Sequence, residues 1–158
     1  MDNKHETYMQ RAIDLARSGM ESGAGGPFGC VIVKDNEIIA EGWNKVTSTN
    51  DPTAHAEVTA IRIACEQLGS FQLEGCVIYT SCEPCPMCLG AIYWARPEAV
   101  YYGCDKVDAA AIAFDDQFIY DEIDAPIHAR TIPFQQIAQN EAIAVFQAWA
   151  DKIDKTKY

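Results

Sequence analysis

Two short motifs constrain this chain more than anything else in it: His55-Ala56-Glu57, and, with Cys85 standing 30 positions after His55, Pro84-Cys85-Pro86-Met87-Cys88. Each falls at the predicted start of a helix, so a fold that uses them has to bring two helix N-termini together. An imidazole and two thiolates suit Zn²⁺, and three protein ligands leave the fourth tetrahedral position for water, which is the layout of a catalytic site. Helix N-termini carry partial positive charge, and with the metal they favour deprotonated Cys85 and Cys88. Zinc lowers the pKa of the water it binds to about 7, far below that of bulk water. Glu57 can take the water proton and hand it to a leaving nitrogen without binding the metal itself. Cys82 extends the run to Cys82-x-x-Cys85-x-x-Cys88 and could close an inert His-Cys₃ site, but such a site has no use for Glu57.

The surrounding sequence alternates strands and helices. Tyr8, Ala12, Leu15 and Ala16 recur at helical spacing, predicting a packing helix over His5–Ser18 ended by Gly19. Phe28–Val33, a turn at Asp35-Asn36 and Ile38–Asn44 read as a β-hairpin. The glycine-rich loop before it, Gly23-Ala-Gly-Gly26, lacks the lysine and spacing of a phosphate-binding loop. After a polar loop at Thr47–Pro52, Thr53–Leu68 reads as a helix stopped by Gly69, with His55 and Glu57 in its first turn. Cys76–Thr80 is a strand, Pro86–Trp94 a helix opened by prolines, and Ala99–Gly103 a further strand. Strand, helix, strand twice over implies parallel crossovers. Asp105–Ala129 reads only as loop mixed with short helix, Thr131–Ile137 as an edge strand tolerant of Pro133, and Glu141–Ile153 as a last helix.

Composition narrows the partners. The 158 residues, 49% hydrophobic and 22% charged, suit a single globular domain spanning 1–158. With no long apolar run and no signal-peptide core at the start, a soluble cytosolic protein is expected. A formal net charge of −11 opposes a polyanionic partner within a Debye length of ~8–10 Å. Seven cysteines, an odd number, argue against a disulfide scaffold. Cys30, Cys65, Cys76 and Cys104 stand isolated in apolar stretches and read as small buried hydrophobes.

The combination H-x-E…P-C-x-x-C is the pattern of zinc nucleobase deaminases. His55-Ala-Glu57, Thr80–Cys88, Gly90–Pro97 and Phe114-Asp-Asp-Gln-Phe118 further resemble the bacterial guanine deaminases of the cytidine deaminase-like superfamily, over nearly the whole chain. The resemblance implies an α/β/α sandwich with a five-stranded mixed sheet, one zinc per chain, and hydrolysis of guanine to xanthine and ammonia. It carries the zinc ligands onto His55, Cys85 and Cys88, the proton shuttle onto Glu57, and base-binding positions onto Phe28, Asn44, Trp94 and Asp116. Asp116 also counts among the catalytic groups, and Ala56 and Tyr158 among the substrate contacts. Cys82 falls where the family has no metal ligand. The resemblance further implies a homodimer in which the C-terminal segment, about 140–158 with Tyr158 at its tip, closes over an active site and is exchanged between subunits.

On the residues alone, Phe28 and Trp94 would be core aromatics, Asn44 a turn residue, and Asp115-Asp116 a solvated acidic pair. Guanine offers N–H donors beside a carbonyl acceptor, so its site needs carboxylates, an amide that can donate, and aromatic faces. A tRNA adenosine deaminase shares the zinc motif but has to hold a polyanion, against which the charge argues. A cytosine or cytidine deaminase shares the chemistry and differs in the base read. A non-catalytic zinc domain is the alternative from another class.

Overall fold

The computed structural model describes residues 3–158, the side chain of Asn3 excepted. They divide into two compact units, the first running to Asp116 and the second covering Gln117–Tyr158. In the first, α1 (Asn3–Glu21) precedes β1 (Gly29–Lys34) and β2 (Glu37–Trp43); α2 (Val46–Thr49), α3 (Ala56–Leu68), β3 (Cys76–Cys82), α4 (Pro86–Ala95), β4 (Ala99–Cys104) and α5 (Lys106–Ala111) follow. The second unit holds α6 (Gln117–Asp124), a 3₁₀ turn at Ile127–Ala129, and α7 (Gln139–Asp151).

The hairpin forms as the sequence predicts. Asp35 and Asn36 both adopt positive φ, 51° and 65°, the geometry a two-residue turn needs to match strand twist. The β1–β2 register shifts after Ile32, so that Ile32 faces Ala40 and Val33 faces Ile38, with one residue bulged between. The sheet is mixed, in the order β2-β1-β3-β4. β1 is antiparallel to both neighbours, and only β3–β4 is a parallel pair. The β2–α3–β3 connection therefore steps over β1, and a single crossover joins hydrogen-bonded neighbours.

Helices cover both faces of this sheet. On one, Leu15 of α1 packs with Val31, Val33 and Tyr79. On the other, Ala56, Ala60 and Ala64 of α3 and Ile92 and Ala95 of α4 pack with Cys30, Ile32, Ala40 and Ile78. Small residues let α3 lie close: a Cβ on Gly42 would sit 2.3 Å from the Ala56 carbonyl oxygen. That contact docks the first turn of α3, and His55 with it, on the end of β2.

Several expectations are corrected. The sheet of the described residues has four strands, not five. Residues 131–137 form no strand: Pro133 has no N–H, and the Thr131 N–H donates to the Glu122 carboxylate at 2.9 Å. α1 runs through Gly19 to Glu21. Gly19 is a place of close approach, where a Cβ would meet Trp43 Cδ1 at 2.8 Å, and not a stop. The polar loop after β2 holds the one-turn α2, and α3 begins at Ala56 with His55 as its N-cap. The last helix starts and ends two residues early, at Gln139 and Asp151. Of the isolated cysteines, Cys30 and Cys76 are buried, Cys65 is half-buried, and Cys104 is exposed on edge strand β4.

Candidate metal centre

The ligands of the two motifs sit at equivalent places. His55 and Cys85 are the N-caps of α3 and α4, both extended, with φ −69°, ψ 159° and φ −64°, ψ 168°. Neither side chain caps its own helix, so imidazole and thiol are directed elsewhere. Pro86 occupies the first turn of α4, where its missing N–H costs nothing. Cys88, three residues after Cys85, lies above it on the same helix face. The His55 Nδ1 atom is 3.5 Å from the Sγ of both Cys85 and Cys88. All three ligand atoms lie within 4.8 Å of one another, a donor set of one imidazole and two sulfurs that fits a tetrahedral soft cation.

The electrostatics favour charged ligands. Hydrogen bonding from the Cys88 thiol, aided by His55, lowers Cys85 to about 4 against the effect of its burial. Cys88, sharing its proton with Cys85 and buried beside Glu57, moves the other way. The hydrogen bond to Cys85 raises His55. These contacts favour the ionised form of Cys85, and a bound divalent ion would favour ionisation of Cys88 as well.

Glu57, in the first turn of α3, is 6% exposed, and burial raises its pKa above the ordinary carboxylate range. Its Oε2 accepts from Cys88 Sγ at 3.3 Å, and its Oε1 accepts from Thr80 Oγ1 at 3.0 Å. A buried carboxyl with a raised pKa at the edge of a metal cluster is suited to accept and return a proton.

Cys82 is not drawn into the cluster. Its Sγ donates to the Asp105 carbonyl at 3.7 Å, and burial, with Cys104 and Glu57 adding to it, pushes the thiol up to about 12. A neutral thiol is a poor zinc ligand.

Asn44 is buried at the end of β2. Its Oδ1 accepts from the N–H groups of Gly26 at 3.3 Å and Val46 at 3.1 Å, which leaves the NH₂ end to donate. Phe28 meets Phe114 edge-on, with ring centroids 4.9 Å apart. Asp116 is half-buried, and burial followed by the charge of Cys85 raises its pKa, which sets it within electrostatic reach of the cluster. Ala56 is fully buried. Trp94 is 63% exposed on α4 and is not a core aromatic. Tyr158 is exposed at the end of the second unit. Sequence reasoning missed Thr80 as a partner of Glu57, Phe114 as a partner of Phe28, and the hold of Gly26 on Asn44. Strand alternation could have placed Thr80 on the same face as Ile78, but nothing local names its partner.

Residues 2–104 match the family described as the cytidine and deoxycytidylate deaminase zinc-binding region. Guanine deaminase of Bacillus subtilis is 62% identical over 154 residues, 98% of this chain and 99% of that protein. The X-ray structure of guanine deaminase from Bacillus subtilis superposes with a TM-score of 0.95 at 62% identity, covering 98% of each chain. The tRNA-specific adenosine deaminase of Agrobacterium fabrum is 42% identical over 105 residues, 66% of this chain and 68% of that one. A family match spanning most of the chain thus coincides with the clustered His55, Cys85 and Cys88, and the protein belongs to the family defined by the cytidine and deoxycytidylate deaminase zinc-binding region.

Proposed function

We propose that this protein is a zinc-dependent guanine deaminase, hydrolysing guanine and water to xanthine and ammonia. The observation that carries the reading is the full-length, 62% identity match to a guanine deaminase, which extends through the second unit as well as the zinc motif. His55, Cys85 and Cys88 would hold the ion. When bound, zinc makes water a nucleophile near neutral pH by lowering its pKa to about 7. The chain's own residues do the rest. Glu57 receives the water proton and returns it to the base, so that a C–O bond forms at the amino-bearing carbon, the C–N bond breaks and ammonia leaves. Asn44 donates to an acceptor on the purine, Asp116 accepts from its N–H groups, Phe28 and Trp94 flank the ring, and Ala56 and Tyr158 contact the substrate. Glu57 and Asp116 are the catalytic carboxyl groups.

The chain acts as one deaminase domain in a cytoplasmic homodimer, with segment 140–158 exchanged so that Tyr158 covers the partner's pocket. Supporting the exchange, α7 exposes Phe146 by 75% and Trp149 by 46%, apolar surface that benefits from a partner. Supporting the cytoplasm, none of the seven cysteines is paired in a disulfide.

Ammonia release from guanine, guanosine, adenine, cytosine and cytidine tests the assignment. Guanine is expected to be turned over fastest, and faster turnover of cytosine or cytidine overturns the substrate. Truncation of the last few residues should impair turnover with zinc retained, and light scattering should report a dimer; a fully active truncation or a monomer removes the tail or the swap.

A further inference from the structure

Among the described residues, Thr80 is a buried hydroxyl that the chemistry above does not use. It sits in β3, which is hydrogen-bonded on both sides, with Thr80 opposite Cys30 of β1 and Tyr102 of β4. Its backbone is therefore held in the middle of the sheet. The residue is 1% exposed and follows Ile78 on the face covered by α3 and α4. β-Branching suits a strand and fixes the side-chain rotamer, but valine would serve both purposes without burying a polar group. A hydroxyl in such a place needs a partner, and it donates to Glu57 Oε1 at 3.0 Å.

The other half of the geometry lies on Glu57. Its two oxygens are sorted: Oε1 is tied to the sheet through Thr80, while Oε2 faces Cys88 Sγ at 3.3 Å, toward the metal cluster. A glutamate at the start of a helix has three side-chain torsions and would sample several carboxyl orientations. One bond from the rigid centre of the sheet stops the terminal rotation and presents a single oxygen to the cluster. Proton transfer depends on that alignment, because a donor and acceptor have to meet at about 2.6–3.2 Å.

We propose that Thr80 is a positioning residue for the proton shuttle, its hydroxyl locking Glu57 so that protons enter and leave through Oε2 alone. The inference rests on the reading of Glu57 as the shuttle of a guanine deaminase. It gives Thr80 no contact with substrate or metal.

The test compares Thr80→Val, Thr80→Ser and Glu57→Gln in the full-length, zinc-loaded protein, measuring kcat and KM for guanine, the solvent deuterium isotope effect on kcat, zinc content and Tm. General acid–base catalysis is worth about 10²–10⁴-fold, and loss of alignment should forfeit part of it. Thr80→Val is expected to lower kcat about 10- to 100-fold, with KM changed less than about threefold, zinc retained and the isotope effect enlarged. Thr80→Ser, which keeps the hydroxyl and loses a methyl, should recover most of kcat even where its Tm falls. In the Glu57→Gln background, Thr80→Val should cost little more. The infrared carboxyl bands of the protein, assigned by their loss in Glu57→Gln, should shift in Thr80→Val.

Wild-type kcat in Thr80→Val overturns the proposal, as does an equal loss in Thr80→Ser or an unshifted carboxyl band. Should Thr80→Val fail to fold, Thr80→Cys, a weak donor of similar size, carries the same comparison with serine. The two readings fail separately. Glu57→Gln at wild-type turnover removes the shuttle itself, whereas an inactive Glu57→Gln beside a fully active Thr80→Val removes only Thr80.

Discussion

Gly25 offers a direct way to disturb the polar end of the proposed base site without touching a ligand. A Cβ at this position would lie 2.2 Å from Asn44 Oδ1, 2.6 Å from the Asn44 carbonyl oxygen and 2.9 Å from its carbonyl carbon. A carbon and an oxygen normally keep more than 3 Å apart, so in Gly25→Ala either Asn44 shifts or the loop retreats by about 1 Å. Asn44 is anchored by its own N–H, which donates to the Phe28 carbonyl at 3.0 Å, so the loop is the softer side. Its retreat stretches the Gly26 N–H bond to Asn44 Oδ1, already 3.3 Å, beyond useful length and leaves only Val46 to orient the amide.

Overpacking costs about 1–3 kcal/mol and a modest hydrogen bond about 0.5–1.5, so Gly25→Ala should lose about 2–4 kcal/mol of stability. If the NH₂ of Asn44 donates to the base, misdirecting it forfeits about 1–3 kcal/mol of transition-state binding, about 5- to 150-fold in kcat/KM. Gly90→Ala is the control. It lies in α4 with open space where its Cβ would go, and should stabilise the protein by about 0.5–1 kcal/mol through helix propensity. Urea melts and guanine kinetics on both variants decide the matter. A Gly25→Ala protein that melts and turns over like wild type would refute the idea that this loop bears on Asn44.

Elemental analysis should find close to one zinc per chain, lost in Cys85→Ser and His55→Ala and kept in Cys82→Ser; loss from the last variant would show that the ligand set is wrong. Arg11 and Glu41 form a paired bridge with both N···O distances at 2.7 Å, and the Arg11 hydrogen bond lowers the Glu41 pKa. The folded-state pKa lies below the unfolded one, so the bridge stabilises above the ordinary carboxylate value and its contribution fades as the pH falls through the folded value. Both side chains are partly exposed, so Glu41→Gln should cost only about 0.5 kcal/mol at pH 7. That difference should shrink below about pH 4 and in high salt; one that grows in acid would contradict the sign.

Local features of this protein are legible in its sequence where neighbours along the chain decide them. Positive φ at Asp35-Asn36 closes the hairpin, Gly69 in the left-handed conformation ends α3, and Pro86 opens α4. The ligand set is legible for the same reason: Cys85 and Cys88 share a helix turn, and the chemistry of an imidazole with two thiols selects the metal class. Strand order, in contrast, depends on pairings between distant segments. No periodicity shows that β1 will lie between β2 and β3, or that the Thr131 N–H will be taken by Glu122 before a strand can use it. Gly19 reads as a helix stop because glycine usually is one, until the approach of Trp43 reveals why a side chain is missing there. The tertiary structure adds the physical reason that Cys82 stands apart from Cys85 and Cys88: their spacing is the same, and the difference is which neighbour each sulfur meets. The pairing of Thr80 with Glu57 is of the same kind. A hydroxyl and a carboxylate 23 residues apart acquire a joint role only when the sheet and a helix bring them within 3.0 Å and bury both.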